Sequence, residues 1–267
     1  MAIHLTCDFI RTSKYAEKLR FYLTNQIARN LKRPELNVYS WYLIQTIFKR
    51  RNYLLEEAAV ELCQLEPGQN VLEIGYGPGY GIELAARRVA PCTLEMLDRE
   101  NILSKLWMKS FGELEYPIEG QVFGVDISQY MYRKARRLNY KSIKAGAVSL
   151  HCTSVDHLPF RASTIDACFH VNCFYFWPRL DISLRSIWRV LRPDGRVVTT
   201  FYPKRLMTAQ SRGLMRYGRS DPVAYALALE ATGFDRVEWL KDQKTLASGE
   251  PFDCIVARKP PILLIES

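Results

Sequence analysis

The hydrophobic residues of the chain follow two alternating patterns. Short continuous apolar runs alternate with longer stretches in which apolar residues recur every three or four positions. The short runs are typical of parallel strands buried on both faces, and the longer stretches are typical of amphipathic helices. The alternation is regular from Gly124 onward, so the pattern predicts an α/β fold with a doubly wound, mostly parallel sheet and helices on both faces.

The individual elements follow from this pattern and from the turn residues between them. Strands are predicted at residues 71–74, 121–126, 148–152, 165–171, 196–201, 236–240 and 253–257, and helices at 80–89, 130–138, 180–191 and 222–232. Three further helices, at 11–31, 38–48 and 54–65, form a predicted N-terminal helical extension over residues 1–66, ahead of a main domain at 67–260. The extension either covers a substrate pocket as a lid or simply packs against the sheet, and the sequence leaves both readings open.

The first predicted strand runs into a loop with glycine at every second position, Glu73-x-Gly75-x-Gly77-x-Gly79. Glycine permits positive φ angles and lets the bare backbone approach a ligand, and a helix start beyond it presents free N–H groups. The spacing differs from the G-x-G-x-x-G pattern of dinucleotide-binding proteins. An acid beside the loop would repel a pyrophosphate but would suit the ammonium group of an amino acid, so we expect a ligand of that kind.

Two segments compete for the second strand, whose terminal acid should hold a ribose diol. The segment 92–98 ends in Asp98 at the expected separation but contains the charged Glu95. The segment 121–126 is more apolar and ends in Asp126, and the sequence favours it. Residues 92–120 then form a predicted insertion, with a short amphipathic helix at 100–111.

Composition narrows the possible functions. The 267 residues are 48% hydrophobic and carry a formal net charge of +9, but the basic residues are scattered and no RNA-binding motif accompanies them. Nucleic acid is therefore a possible partner that the sequence does not favour. No signal peptide and no apolar run long enough to span a membrane is apparent, and seven cysteines without a C-x-x-C pair predict neither disulfides nor a metal site, so the cytoplasm is the expected compartment.

Several motifs recur in the order typical of one enzyme family. The glycine loop and Asp126 are followed by Leu158-Pro159-Phe160, Ile165-Asp166 and the segment 190–195, Val-Leu-Arg-Pro-Asp-Gly. Over residues 54–260 the chain thus resembles the class I S-adenosylmethionine (SAM) methyltransferases. Within them it most resembles the type 11 group related to ubiquinone-biosynthesis methyltransferases, with a core at about 72–200. The resemblance implies SAM as cofactor and a seven-stranded sheet of order 3-2-1-4-5-7-6 with strand 7 antiparallel.

Members that resemble this chain most also have an Arg-Arg-Asn turn before the glycine loop, here residues 50–52. They have Asn-x-x-Tyr-Phe-Trp after strand 4, here residues 172–177.

The resemblance also implies roles for individual residues. It assigns Glu73, Gly75, Gly77 and Gly79 to the methionine moiety of SAM and Asp126 to the ribose. It assigns Ile127 and Val155 to the faces of the adenine and Asn172 to the region near the sulfonium. Ser154 stands where related proteins carry an acid near the adenine amino group, and Asp156 is a possible substitute. Tyr175 and Trp177 follow strand 4 at the usual mouth of the acceptor site, as pocket lining or as core. His170, inside an apolar strand, is expected to be a core residue, and no residue is assigned as a catalytic base.

Three functions remain open on the sequence alone. The first is methyl transfer to a small, apolar or aromatic molecule, which the sequence favours. The second is methylation of RNA or protein through the basic surface, and the third is a non-catalytic subunit with the SAM-binding fold. The sequence does not indicate an oligomeric state.

Overall fold

The structure is a computed structural model, and it describes residues 14–46, 52–99, 119–244 and 250–261. Its strands are β1 Asn70–Ile74, β2 Gln121–Asp126, β3 Val148–Cys152, β4 Ile165–Val171, β5 Leu191–Phe201, β6 Asp235–Gln243 and β7 Phe252–Arg258. They form one sheet of order β3-β2-β1-β4-β5-β7-β6. The first five strands are parallel, and β7 is antiparallel to both of its neighbours. The predicted fold class, strand order and antiparallel strand are confirmed.

Helices cover both faces of the sheet. The helices described are α1 Lys14–Lys32, α2 Val38–Leu43, α3 Tyr53–Leu62, α4 Tyr80–Val89, α5 Pro91–Arg99, α6 Gln129–Leu138, α7 Tyr140–Lys144, α8 Leu180–Val190, α9 Pro203–Ser211 and α10 Pro222–Thr232. Two apolar clusters result, one between the sheet and the α3–α4 layer and one between the sheet and the α8–α10 layer. None of the described helices is long and apolar enough to cross a membrane.

Side chains on β1 alternate between these two clusters, as the period of a strand requires. Leu72 and Ile74 pack on the α8–α10 side, whereas Val71 packs on the α3–α4 side. Glu73 must therefore point to the same side as Val71. The carboxyl side chain of Glu73 thus faces the apolar layer of helices α3 and α4.

The second strand is the later of the two candidates. β2 pairs in parallel with β1 through Leu72 and Phe123, and through Ile74 and Val125. Residues 92–98 lie in helix α5, so the alternative that placed Asp98 at a strand end is wrong. The prediction of a helix at 100–111 falls outside the described residues, and the predicted insertion stays a prediction.

Helix α5 nevertheless belongs to the folded body. Its Leu94 and Leu97 are buried in the cluster of the α3–α4 face. The backbone N–H of Thr93 also donates to Glu119 Oε2 at 2.9 Å, which ties the start of the helix to the segment before β2. At least this part of the segment contributes to the core, so it is more than a surface excursion.

The N-terminal helices are fastened at several points. At the end of α1 the buried Asn30 Oδ1 accepts hydrogen bonds from Ser40 Oγ at 2.7 Å and from Asn37 Nδ2 at 2.8 Å. Farther along the chain, Thr200 Oγ1 at the end of β5 donates to the carbonyl oxygen of Leu55 in α3 at 3.0 Å.

Helix α1 crosses the carboxyl end of the sheet. In the C-terminal half of the helix Tyr217 Oη donates to Asn25 Oδ1 at 2.7 Å, and just past the helix Ser128 Oγ donates to the carbonyl oxygen of Pro34. These contacts place the helix over the strand ends where a ligand would lie.

Candidate functional site

The glycine loop is built as the sequence spacing requires. Gly75, Gly77 and Gly79 have φ angles of 72°, 50° and 93°, in the left-handed region that favours glycine. The N–H of Gly75 donates to the carbonyl oxygen of Val125 at 2.7 Å, and the N–H of Gly77 donates to Asp126 Oδ2 at 3.1 Å. The loop after β1 is therefore held against the end of β2.

Asp126 connects this loop to the next helix. Its Oδ1 accepts from the backbone N–H of Ser128 at 2.7 Å, while its Oδ2 holds Gly77. Burial raises the pKa of Asp126 to about 6, and the two backbone hydrogen bonds lower it in part. Each carboxylate oxygen can accept more than one hydrogen bond, so the group still has acceptor capacity for a ligand hydroxyl.

A cavity of about 530 Å³ opens above the loop. This volume lies in the range of small-molecule binding sites. The sequence-predicted residues on its wall are Gly75, Gly77, Asp126, Ile127, Ser154, Val155, Asn172, Tyr175 and Trp177. Two predicted residues, Glu73 and Gly79, do not line it. A Cβ at Gly79 would come within 2.8 Å of Ala135 Cβ, so this glycine serves the packing of α4 against α6.

Glu73 instead lies behind the loop, on the face of β1 that the strand alternation requires. Its side chain is buried, and its Oε2 has no hydrogen-bond partner in the described parts of the chain. A Cβ at Gly81 would come within 2.6 Å of Glu73 Oε1, so glycine at 81 makes room for this carboxyl group. Burial, together with the negative charges of Glu56 and Asp126, raises the pKa of Glu73 well above its usual range.

The carboxylate that reaches the cavity from this side is Glu56 of α3. It lines the cavity, only 4% of the residue is exposed, and its Oε2 has no partner among the described residues. Burial raises the pKa of Glu56 to about 8, although a backbone hydrogen bond from Gly81 lowers it in part. Sequence reasoning missed this residue, because an acid within Leu-Leu-Glu-Glu-Ala-Ala resembles an ordinary solvated helix position.

A second contribution from the N-terminal part is Asn52. Its Oδ1 accepts from Asn172 Nδ2 at 3.1 Å, and both side chains line the cavity. The Arg-Arg-Asn turn and the Asn-x-x-Tyr-Phe-Trp segment, noted separately in the sequence, thus meet through their asparagines. Asn172 has a φ of 49°, a strained value for a residue other than glycine that is often found at functional sites.

The segment at the predicted adenine end contains Ser154 and Val155. Ser154 Oγ accepts from the backbone N–H of Asp156 at 3.3 Å and caps the short 3₁₀ turn Val155–His157. Asp156 accepts a hydrogen bond from Ser183 Oγ at 2.5 Å and does not line the cavity. Asp156 is therefore engaged by Ser183 outside the cavity wall, and its role as the substitute acid stays a prediction.

Tyr175 and Trp177 were predicted either to line the pocket or to belong to the core, and in the structure they do both. Each is only 6% exposed, yet each contributes to the cavity wall. Trp177 Nε1 donates to Cys173 Sγ at 3.3 Å, which fixes the indole. The aromatic pair is part of the core and part of the pocket at once.

His170 lies in the core and away from the cavity. Its Nε2 is 2.8 Å from both Tyr225 Oη and Thr199 Oγ1, and burial lowers its pKa to about 3. A neutral, fully enclosed imidazole in a hydroxyl network fits the structural role expected from the sequence.

The far end of the cavity comes from α9 and the turn after it, which the sequence analysis did not predict. Leu206, Ala209, Leu214 and Met215 supply apolar surface there, beside Phe176. A helix start at Pro203 was readable from the chain, since proline favours the first helical position.

Comparisons with known proteins agree with this architecture. A family model described as a methyltransferase domain, of type 11, matches residues 106–199, which include β2 to most of β5 but not the glycine loop. An uncharacterized methyltransferase, YdaC of Bacillus subtilis, is 25% identical over 158 residues, covering 59% of this chain and 70% of the relative. The 24-methylenesterol C-methyltransferase 2 of Arabidopsis thaliana is 25% identical over 146 residues, covering 55% of this chain but only 32% of the relative.

The fold is similar to that of solved methyltransferases. A SAM-dependent methyltransferase from Aquifex aeolicus has a TM-score of 0.54 and 16% identity, and the match covers 80% of this chain and 96% of that one. The comparisons do not specifically support the ubiquinone-biosynthesis subgroup. The matched domain model, the methyltransferase relatives and the 3-2-1-4-5-7-6 sheet together support a class I SAM-dependent methyltransferase.

Proposed function

We propose that this enzyme transfers the methyl group of SAM to a small molecule that carries an apolar portion. The main support is that the residues expected to hold the cofactor and a set of apolar and aromatic side chains line the same cavity. Cofactor and acceptor would therefore lie in a single chamber, with α1 across its top.

The residues at the loop end suit a SAM molecule. We propose that Asp126 accepts hydrogen bonds from the ribose hydroxyls and that Ile127 and Val155 contact the adenine, with Ser154 at its edge. Gly75, Gly77 and Asn172 would border the methionine part. The unpartnered carboxylate oxygen of Glu56 supports Glu56, rather than Glu73, as the group that faces the methionine ammonium.

Methyl transfer from SAM mainly requires that the protein position the cofactor and the acceptor. When bound, SAM supplies an activated methyl group on a positively charged sulfur. Transfer is an in-line displacement, which is accelerated by holding the acceptor atom in line and by excluding water. The buried Tyr175 and Trp177 and the cover from α1 would serve these two purposes. No described residue needs to act as a base unless the acceptor must lose a proton.

The positions of the basic residues of α6 and α7 favour a small acceptor over a macromolecule. None of the basic side chains of α6 and α7 lines the cavity. The sterol methyltransferase among the relatives is also named for a small apolar acceptor.

The proposal predicts methyl transfer into a small-molecule fraction. Purified enzyme with methyl-labelled SAM, incubated in parallel with a metabolite and lipid extract, with total RNA and with total protein, should label the extract alone. The Asp126→Ala variant serves as the control for cofactor-dependent labelling. Label that enters only RNA or protein would contradict the small-acceptor proposal, and no label in any fraction from a protein that binds SAM would favour a non-catalytic role.

A further inference from the structure

The face of α9 that borders the cavity carries two arginines. Arg205, Thr208, Ala209 and Arg212 are spaced at i, i+3, i+4 and i+7, so they lie along one face of the helix and its C-terminal cap. All four line the cavity. The helix therefore presents a cation near each end of its inner face.

The first arginine is neutralised and fixed. Arg205 Nε donates to Glu250 Oε1 at 2.8 Å, and its second nitrogen pairs with the other carboxylate oxygen. Its guanidinium also lies 4.1 Å from the centre of the Tyr202 ring. Because Arg205 forms a bidentate ion pair and stacks on an aromatic ring, little of its positive charge is available to a ligand.

Two other cations on the wall have no such partner. In the part of the chain that the structure describes, neither Arg212 nor Lys32, the last residue of α1, forms an ion pair. Both line the cavity, where Glu56 and Asp126 are the only acidic residues of the wall among those that the structure describes. Cations of α1 and α9 that form no ion pair among the described residues thus share the cavity wall with these two acids.

Apolar surface accompanies these cations. Leu31 lies next to Lys32, and Leu214 and Met215 follow Arg212 within one turn, and all three line the cavity. A ligand that satisfied this region would bring anionic oxygens to the cations and hydrocarbon to the surrounding wall.

We propose that the methyl acceptor is an amphipathic acid, whose carboxylate or phosphate group lies at Lys32 and Arg212 while its apolar body contacts Leu206, Leu214 and Met215. This inference rests on the proposed function, because it assigns the acceptor half of the same cavity. The negative group would anchor one end of the acceptor and thereby direct its other end toward the methyl donor.

The test uses probes that share one tail. Decyl phosphate, decanoate and decanol are titrated by calorimetry into enzyme saturated with S-adenosylhomocysteine (SAH), the demethylated product. We expect both acids to bind more tightly than the alcohol, and added salt to weaken the acids but not the alcohol. The stronger of the two acids identifies the anionic group.

Variants then locate the charge. The double variant Lys32→Gln/Arg212→Gln should lower the affinity for the preferred acid by about tenfold, since Lys32 is partly exposed and Arg212 is exposed, and charge-assisted bonds at such cations are modest. It should leave decanol binding unchanged. The matched control is Lys18→Gln/Lys204→Gln, which removes the same charges from exposed positions of α1 and α9 that do not line the cavity. It should bind the acid as the parent enzyme does.

The affinity for SAH separates the possible failures. Equal binding of acid and alcohol, or no binding of either acid to protein that binds SAH, would overturn the proposal while leaving SAM-dependent methyl transfer intact. A fall in SAH affinity in Lys32→Gln/Arg212→Gln would also overturn it, because the cations would then serve the cofactor carboxylate. If the parent protein bound no SAH, the proposed function itself would fail.

Discussion

The Asp126→Ala variant is expected to bind SAM roughly tenfold to a hundredfold more weakly than the parent enzyme. Hydrogen bonds to a charged group contribute about 1.5–3 kcal/mol each, and about 1.4 kcal/mol is one factor of ten in affinity. Two such bonds to ribose hydroxyls would be lost, although water already makes part of them in the free enzyme. The variant also loses the acceptor that holds the Gly77 N–H at 3.1 Å, so the glycine loop should loosen as well.

The matched control is Asp98→Ala. Asp98 lies in α5, where its side chain is 58% exposed and pairs with Arg87 at 3.0 Å on the surface. Removing it should leave SAM affinity unchanged. Calorimetric titration of both variants, with melting temperatures to exclude misfolding, makes the comparison. Loss of binding in Asp98→Ala with normal binding in Asp126→Ala would contradict the assignment of the ribose site to the end of β2.

The second large effect is expected for Glu56→Gln. If Glu56 faces the methionine ammonium, the substitution removes a buried charge pair and should weaken SAM binding by about tenfold at pH 8. The effect should be smaller at pH 6, because burial raises the pKa of Glu56 to about 8 and the parent carboxyl is then mostly protonated. The exposed Glu61→Gln, on the same helix, should bind SAM normally.

Proton release provides an independent measurement of the same contact. Glu73 of β1 and Tyr80 of α4 are the titratable groups that interact with Glu56, and neither supplies a positive charge. Binding of an ammonium group should therefore make Glu56 release its proton. Calorimetry at pH 7 in buffers of different ionisation enthalpy should show about one proton released by the parent enzyme and none by Glu56→Gln.

The ligand 5′-methylthioadenosine lacks the amino-acid part of SAM, so it separates contacts to the ribose from contacts to the ammonium group. Its affinity should fall in Asp126→Ala and stay unchanged in Glu56→Gln. Equal losses for SAM and methylthioadenosine in Glu56→Gln would contradict an ammonium contact and would indicate a general disturbance of the cavity.

The same carboxyl groups affect the stability of the ligand-free protein. Folding raises the pKa of Glu56 from 4.5 to about 8, so the folded protein holds a proton that the unfolded chain releases between these values. The stabilisation is complete below about pH 4.5 and is lost as the pH rises toward 8. The raised pKa values of Glu73 and Asp126 act in the same direction.

Local patterns in the sequence were sufficient for most of the fold. The apolar runs and the turn residues located all seven strands, and helix 222–232 was predicted with the bounds observed. Segment 92–98 was the difficult case, because Leu94 and Leu97 fit either a short strand or one turn of a buried helix. Their i, i+3 spacing agrees with the helix found.

The site was less predictable, because it depends on contacts between distant parts of the chain. Strand alternation places Glu73 with Val71 on the α3–α4 face, but only the packing of α3 shows that Glu56 takes the position at the cavity. The asparagines at 52 and 172 are 120 residues apart in sequence, and no local pattern pairs them. The part of the cavity wall that α9 forms was not predicted, because the sequence analysis did not predict α9, whereas Tyr175 and Trp177 of the same wall were predicted.

The cavity above the Glu73–Gly79 loop is expected to bind SAM. Calorimetric titration of the parent enzyme with SAM, SAH and NAD tests it directly. We expect one molecule of SAM or SAH to bind per chain and NAD to bind far more weakly, because the carboxyl group of Glu56 suits the ammonium group of SAM, whereas an acid there would repel the pyrophosphate of NAD. Tighter binding of NAD than of SAM, or no binding of SAM by folded protein, would contradict the account.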